Sequence, residues 1–455
     1  MIRSQCVSRA FHTPLVGLAV VAACGFTGNP GQGAPVVDSS IDVAIVDADG
    51  CRIADQTECV GEGSKLRVCK EAGKLPMDFD CDWGCSTNGI HHCAKLVPAG
   101  GFLLPTDLDP GSGPQDVTLA DGDYELNGLT GEITPNVRGP GMNVLSGIDF
   151  QVRAGKVGVF KFAKLTLGTG TIKVIGTNAV ALVSLSTMNI AAEIDLQGDC
   201  LARNAGPGGS DGGARGTNGS GSGGGGRGAG VDDGCYGGGG GANGGNGGRG
   251  GNPLIDNKGN KFGTDLIPTL VGGSGGGGGG ASAGADGGGG GGAIQLIAQR
   301  RVTITGGINA GGCGGKTAGT CGGGGGAGGT ILIEAPVIDF SGSKLATNGG
   351  GGGGGNDGQA GERASLSNQK ANGGGGGKSG SAKGGNGGDG ADDNAANGSS
   401  GQLQSRCGGG GGAVGRMRFN TLSGTIVTSG TVLFSPLVST TGATTTTTRG
   451  IAVTQ

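Results

Sequence analysis

The sequence predicts an all-β protein, a right-handed parallel β-helix that carries long glycine-rich inserts and a small disulfide-rich N-terminal module. Three observations favour this fold class. Short β segments of similar pattern recur along the chain, glycine tracts separate them, and six cysteines lie close together in the first hundred residues. Glycine supplies 117 of 455 residues without the strict third-position repeat of collagen. Aromatic residues make up only 3%, so a conventional aromatic core is not expected.

The N-terminus has the pattern of an export signal. Basic residues precede an apolar run from Leu15 to Ala23, which is too short to span a bilayer. Small residues lead up to Cys24, so we expect residues 1–23 to be a signal peptide and Cys24 to be lipidated. This predicts an exported lipoprotein at the outer membrane or cell surface, held to the membrane by its lipid anchor. A plain signal peptide is the alternative.

Residues 24–50 are predicted to be a tether, and residues 51–96 a Cys-rich module at the base of the molecule. Its even, dense set of cysteines favours three disulfides, and their connectivity stays open. A zinc site that also uses His91 or His92 is the alternative, although the usual paired spacing of zinc ligands is largely missing. The candidate disulfide cysteines are Cys51, Cys59, Cys69, Cys81, Cys85 and Cys93, together with Cys313 and Cys321, which would close a short loop between them.

The β texture begins in residues 97–198 and returns after each glycine tract. Residues 293–310 and 330–348 each read as three short strands separated by a polar break and a glycine. One such unit cannot bury its apolar side alone, whereas stacked units can, as in a parallel β-helix. A flat β-sandwich with long loops is the alternative. Aligning the two units places Ile294, Leu296, Val302, Ile304 and Ile308 opposite Ile331, Ile333, Ile338, Phe340 and Leu345.

The remaining boundaries follow from composition. The predicted glycine-rich inserts are 199–292, 311–329 and 349–412, a weaker β unit occupies 413–440, and a Thr-rich tail occupies 441–455.

Two conformations are open for the glycine inserts. They form either a flexible coil or polyproline-II-like strands, here polyglycine-II, with three residues per turn. Local period three is visible where two glycines separate Asn243, Asn246, Arg249 and Asn252. Ordering glycine is costly in entropy, so a lone tract should stay disordered. Several tracts, each held by β strands at both ends, could order together.

These features resemble glycine-rich bacterial cell-surface lipoproteins. The likeness lies in the Cys module, in the stretch VGVFKFAKLTL, and in the alternation of glycine runs with AIQLIA, TILIEAP and AVGRMRFNT. The resemblance implies an envelope location and a β-solenoid, and it provides no catalytic residues. By analogy of fold alone, the repeated units are also similar to those of filamentous adhesins and autotransporter passengers.

We therefore expect a structural or adhesive role without catalysis, cofactor or metal. No histidine lies in the predicted solenoid, which excludes a Ser-His-Asp site there. The net charge of −3 provides no basic surface of the kind that binds nucleic acid. Lys316 and Lys378 follow glycine but lack the leading glycine of a P-loop, which argues against nucleotide. The expected partners are the membrane, through the anchor, and a surface polysaccharide or other cells.

Two alternative functions remain. One is a β-helix enzyme that degrades polysaccharide, for which paired carboxylates would be needed. On a strand, two carboxylates that are two residues apart lie on the same face of the sheet. Asp107 with Asp109 and Asp121 with Asp123 are also candidates for weak calcium binding. The other alternative is ice binding or another activity of a polyglycine-bundle surface. The carboxylate pairs are Asp107 and Asp109, Asp121 and Asp123, and Glu193 and Asp195.

Overall fold

The computed structural model describes residues 46–47, 50–109, 113–154, 156–228, 236–252, 254–280, 284–438 and 446–455. In this part the chain is nearly all β, with a single short 3₁₀-helix at Pro105–Leu108. The predicted signal peptide, Cys24 and almost all of the tether lie outside the described residues.

Most strands belong to three large sheets, called sheet 1, sheet 2 and sheet 3. In spatial order, sheet 1 contains Asn143–Leu145, Ile148–Arg153, Val157–Phe162, Ala179–Ser184, Ala293–Ala298, Thr330–Glu334, Arg416–Thr421 and Thr447–Ile451. Sheet 2 contains Asp116–Leu119, Lys164–Leu167, Thr187–Ile190, Arg301–Ile304, Val337–Ser341 and Val427–Ser429. Sheet 3 contains Ile133–Thr134, Tyr124–Asn127, Thr171–Ile175, Glu193–Asp195, Gly307–Asn309, Lys344–Ala346 and Leu433–Ser435.

Four small antiparallel sheets complete the described strands. They are formed by Val46–Asp47 with Gly50–Cys51, by Gln56–Val60, Lys65–Cys69 and Met77–Asp80, by Cys85–Ser86 with His92–Cys93, and by Lys378–Ser379 with Ala382–Lys383.

The strands of the large sheets follow a cyclic order. From Val157 onward, the chain adds one strand to sheet 1, one to sheet 2 and one to sheet 3, and then begins again. Neighbouring strands from successive cycles are parallel, unlike the antiparallel strands of the sandwich alternative. Antiparallel pairs occur where the series begins, between Ile148–Arg153 and its two neighbours. The five cycles span residues 157–175, 179–195, 293–309, 330–346 and 416–435.

The predicted alignment of the repeated units is confirmed residue by residue. Ile294 pairs with Ile331 and Leu296 with Ile333 in sheet 1, and the three remaining pairs are directly opposite each other in sheets 2 and 3. The aligned side chains belong to one apolar cluster, in which each buried aliphatic residue contributes about 1.5–3 kcal/mol. Phe340 contacts Phe419 and Phe434 near the last cycle, with ring centroids 5.1 and 5.0 Å apart.

The central strands of sheet 1 are buried on both faces, and their sequences are correspondingly apolar. Its strands Ala293–Ala298 and Thr330–Glu334 are buried at every residue and read as almost continuous apolar runs. The strands of sheet 2, such as Arg301–Ile304, instead alternate buried and partly exposed residues. A second apolar cluster covers the outer face of sheet 1 and includes Trp83 of the Cys module.

The Cys module therefore lies beside the sheets, and its predicted position at the base is wrong. The Trp83 indole donates a hydrogen bond to Gln299 Oε1 (2.8 Å), and Arg300 pairs with Asp82 (3.1 Å). These contacts reach the third of five cycles. The module is too small to bury much apolar surface alone, so this shared cluster supplies part of its core.

The disulfides of the module confirm the prediction of three bonds. Cysteines 51 and 69, 59 and 85, and 81 and 93 are joined. All six thiols are thus consumed, which overturns the zinc alternative.

The predicted bond between Cys313 and Cys321 is wrong, because Cys313 pairs with Cys200. Gly326 N–H bonds to Cys313 O, so Cys321 lies five residues further along the neighbouring tract. At about 3.1 Å per residue this is about 15 Å, too far for a disulfide. Cys321 is itself disulfide-bonded, whereas Cys407 is a buried free thiol.

The end of the predicted Thr-rich tail is part of sheet 1. Thr447–Ile451 runs parallel to Arg416–Thr421. Beyond it, Lys95 and Gln455 exchange two backbone hydrogen bonds of 2.8 and 2.9 Å. The C-terminus thus closes onto the segment that follows the Cys module.

Candidate functional site

The glycine inserts are joined by backbone hydrogen bonds between straight tracts. The clearest case is residues 322–328, called the central tract. Gly324 donates to Gly277 O (2.8 Å), Gly325 to Gly410 O (2.9 Å) and Gly326 to Cys313 O (2.9 Å). Successive N–H groups of the central tract thus bond to three different neighbouring tracts.

The hydrogen bonds repeat every three residues. The N–H groups of residues 322, 325 and 328 bond to the carbonyls of residues 407, 410 and 413 at 3.1, 2.9 and 2.9 Å. The carbonyls of the central tract accept from three further tracts, in which Gly238, Gly288 and Gly353 are donors at 3.0, 2.8 and 2.8 Å. The central tract therefore has six hydrogen-bonded neighbours, and its period is the one predicted from the asparagine spacing.

The close approach of these tracts explains the glycine content. A Cβ at Gly324 would lie 2.5 Å from the carbonyl carbon of Gly239, and one at Gly323 would lie 2.5 Å from that of Asp286. Real Cβ atoms essentially never come closer than 3.0 Å. The described glycines of 237–241, 322–326 and 408–412 have no positive φ. Glycine is needed here because it has no side chain, and left-handed backbone geometry is not the reason.

Arg416 fixes the first insert to sheet 1. Its guanidinium donates to Asn243 Oδ1 (2.5 Å) and to Asp265 Oδ1 (3.2 Å), and the residue is 3% exposed. Burial lowers the pKa of Arg416, while Asp265 acts to raise it. The Asn243 amide in turn donates to Gly328 O (2.9 Å). One strand residue therefore ties the first insert to the central tract.

Sequence reasoning missed this link, although one signal was present. The first residue of the strand Arg416–Thr421 is charged where the preceding copies, Ala293–Ala298 and Thr330–Glu334, begin with Ala and Thr. A charge at a buried strand position requires a partner from elsewhere in the chain.

Glu334 is a buried carboxylate on the outer face of sheet 1, and it is 1% exposed. It accepts hydrogen bonds from Ala99 N (3.1 Å), Asn420 Nδ2 (2.9 Å) and Gln295 Nε2 (2.5 Å). Burial raises the pKa of Glu334, and these hydrogen bonds act to lower it. Its carboxylate links residue 99 to two strands of sheet 1, so a positioning role in the fold accounts for it.

The predicted carboxylate pairs each have a local structural task. Asp109 pairs with Lys95 (2.7 Å), and Asp107 pairs with Arg153. Asp121 and Asp123 accept hydrogen bonds from the backbone N–H groups of residues 169 and 171 at 2.7 and 2.8 Å, in the next cycle.

The third pair lies on one face of sheet 3, as its spacing predicts. Asp195 pairs with Lys173 of the preceding cycle (2.7 Å). Burial raises the pKa of Glu193, and the charge of Asp195 adds to this shift. Among the described residues there is no group of three or more His, Cys, Asp and Glu side chains placed to hold a metal ion.

A cleft of about 1140 Å³ lies where sheet 3 meets the inserts, and sequence reasoning did not find it. Lys173, Lys316 and Arg363 line it, together with Asp199 and Asp211. Both aspartates accept backbone hydrogen bonds, from residue 201 (3.0 Å) and residue 205 (2.8 Å). Burial lowers the pKa of Lys316, while nearby aspartates act to raise it. The cleft unites residues that are almost two hundred positions apart, which no local pattern indicates.

The two P-loop-like lysines do not precede a helix. Lys378 lies in the two-residue strand Lys378–Ser379, and Lys316 lies in an irregular segment that precedes a bend at residues 319–320. In the described part of the chain, no helix has the length and apolarity to cross a bilayer. Comparisons with protein families, with curated proteins and with solved structures find no match to this chain.

Proposed function

We propose that this chain is a lipid-anchored bacterial surface protein with a structural or adhesive role. In this proposal the three sheets form a right-handed parallel β-helix, and the inserts form a polyglycine-II bundle beside it. The cyclic order of parallel strands supports the first element, because a coil with three strands per turn deposits them in this order. The disulfides are typical of proteins in oxidising compartments and support export.

The hydrogen bonding of the central tract is the observation that carries the proposal. Its N–H and C=O groups are directed at six neighbouring tracts, so the inserts build a rigid body out of backbone alone. Such a body presents loops at fixed positions and offers few reactive side chains. A display or adhesion role uses this property, whereas catalysis requires convergent functional groups.

Export and anchoring are tested by lipid labelling and by protease shaving of intact cells. We expect the wild-type protein to take up labelled fatty acid and to be cleaved from the surface. Cys24→Ala should abolish labelling and release the protein from membranes. Cys6→Ala is the matched control, because Cys6 precedes the apolar run, and it should behave as wild type. Continued labelling and anchoring of Cys24→Ala would contradict the lipoprotein assignment.

Adhesion is tested in cells that lack the protein and are complemented with wild type or with Gly324→Ala. We expect wild type to restore attachment to surfaces or other cells and the variant, which disturbs the tracts, to restore less at equal surface abundance. Equal attachment by both complemented strains and the deletion strain would contradict an adhesive role.

A further inference from the structure

Three basic residues are adjacent in the backbone near the end of the central tract that lies away from the strand Thr330–Glu334. The central tract leads into the strand Thr330–Glu334, and Gly322 lies about 25 Å from Thr330, at about 3.1 Å per residue. There Gly322 N–H donates to Cys407 O (3.1 Å), which places Arg406 at the same far end.

The backbone holds Arg406 next to a small hairpin. Lys378 is directly opposite Lys383 in the antiparallel pair of strands Lys378–Ser379 and Ala382–Lys383. Lys383 O accepts from Arg406 N (3.2 Å) and from the Ser405 hydroxyl (3.0 Å). We call Lys378, Lys383 and Arg406 the basic tip.

The basic tip is electrostatically unfavourable as it stands. Like charges directly opposite each other in a strand pair are destabilising. Some other exposed bases have carboxylate partners, as Lys370 has in Asp389 (2.6 Å) and Lys65 in Asp80 (3.0 Å). No side chain of the basic tip forms an ion pair with any residue that the structure describes. Both lysines are exposed and Arg406 is half-buried, so an external anion can reach all three.

We propose that the basic tip binds an acidic polysaccharide through its sulfate or carboxylate groups. The inference rests on the proposed surface function and gives it a partner class. Ser379, Ser381 and Ser405 surround the bases and offer hydroxyl groups for hydrogen bonds to sugar and sulfate oxygens. Residues 371–412 contain no aromatic residue, so the stacking platforms that bind single-stranded nucleic acid are missing from this insert.

Binding is measured with the purified full-length protein, using dextran sulfate, uncharged dextran and double-stranded DNA as probes. We expect dextran sulfate to bind, uncharged dextran not to bind, and DNA to bind at least tenfold more weakly. Three ionic contacts predict a slope of about −2 for log affinity against log salt. A fourfold increase in salt should therefore reduce affinity roughly twentyfold.

The decisive variant is Lys378→Gln with Lys383→Gln and Arg406→Gln, which should lose at least about tenfold in affinity. The matched control neutralises the exposed lysines 70, 74 and 261 and should bind as wild type. Because Arg406 is half-buried and its replacement could disturb the fold, the double variant Lys378→Gln with Lys383→Gln is tested in the same way. Unfolding temperatures show whether all variants are folded. Unchanged binding by the tip variants, an equal loss in the control, or tighter binding to DNA would overturn the proposal. Because the protein is purified, these results do not depend on whether the chain is exported or lipidated.

Discussion

Replacing Gly324 by alanine tests the packing of the inserts in the middle of the central tract. The added Cβ would lie 2.5 Å from the Gly239 carbonyl carbon, where ordinary contact needs about 3.5–4 Å. The tract containing Gly239 must therefore move by about 1 Å or more. Its residues Gly238 and Gly241 donate to the central tract at 3.0 and 2.9 Å, and such a shift takes both bonds beyond hydrogen-bonding distance.

The expected loss follows from those two bonds. The loss of each buried bond costs about 1–3 kcal/mol, which gives about 2–6 kcal/mol for the two bonds. Alanine also restricts the unfolded chain, which offsets about 0.4–1 kcal/mol of this loss. We therefore expect Gly324→Ala to lower the free energy of unfolding by about 1–5 kcal/mol.

Gly375→Ala is the matched control, because Gly375 lies in a similar glycine tract but next to a flexible side chain. The nearest atom to its added Cβ is the Gln359 side-chain oxygen at 3.3 Å, which can rotate away. We expect this variant to unfold with the free energy of wild type or slightly more. The assays are denaturant unfolding and hydrogen exchange of the amides of residues 238 and 241. If both alanine variants unfold alike and those amides stay protected in Gly324→Ala, the packing argument is wrong.

Three further predictions concern contacts between distant parts of the chain. Arg416→Met removes a buried cation that donates hydrogen bonds to Asn243 and Asp265, and it should lower the free energy of unfolding by about 1.5–3 kcal/mol. Hydrogen exchange should rise first around residues 243–265, and unchanged protection there would contradict the anchoring role. Peptide mapping without reduction should recover Cys200 joined to Cys313. Recovery of Cys313 joined to Cys321 would refute the packing of the Cys313 tract against the central tract. Burial raises the pKa of Glu334, so the folded protein binds the proton of this carboxyl group more tightly than the unfolded chain does. The protonated group therefore stabilises the folded state at low pH. This stabilisation is lost as the pH rises from about 4.3, the ordinary pKa of glutamate, through the raised pKa of the folded state. Glu334→Gln should therefore gain stability relative to wild type as the pH rises above about 4.3 in urea unfolding, and a constant difference would contradict this.

The strands and their register could be predicted because they depend on local pattern. Ile294 and Ile331 recur at the same place in similar units, and strands that repeat in sequence pair when they stack. The attachment of the inserts could not be predicted in this way. Arg416 and Asn243 are 173 positions apart, and glycine tracts contain no side chains that distinguish one neighbour from another.

The pairing of the strands in the sheets also explains why the glycine inserts are structurally ordered. Fixing the backbone conformation of one glycine costs about 1–2 kcal/mol of conformational entropy. This cost is comparable to the net stabilisation from one hydrogen bond, so an isolated glycine tract is not expected to be ordered. In this chain, the second insert begins after the strand Gly307–Asn309 and ends before Thr330–Glu334, and both strands are paired in sheets. The apolar pairing of the strands therefore holds both ends of this tract in place. Once six neighbours surround the central tract, each further residue forms its bonds without a new loop to close. The order of the glycine tracts thus follows from the register of the strands, and a substitution that weakens strand pairing near Ile331 should loosen the inserts as well.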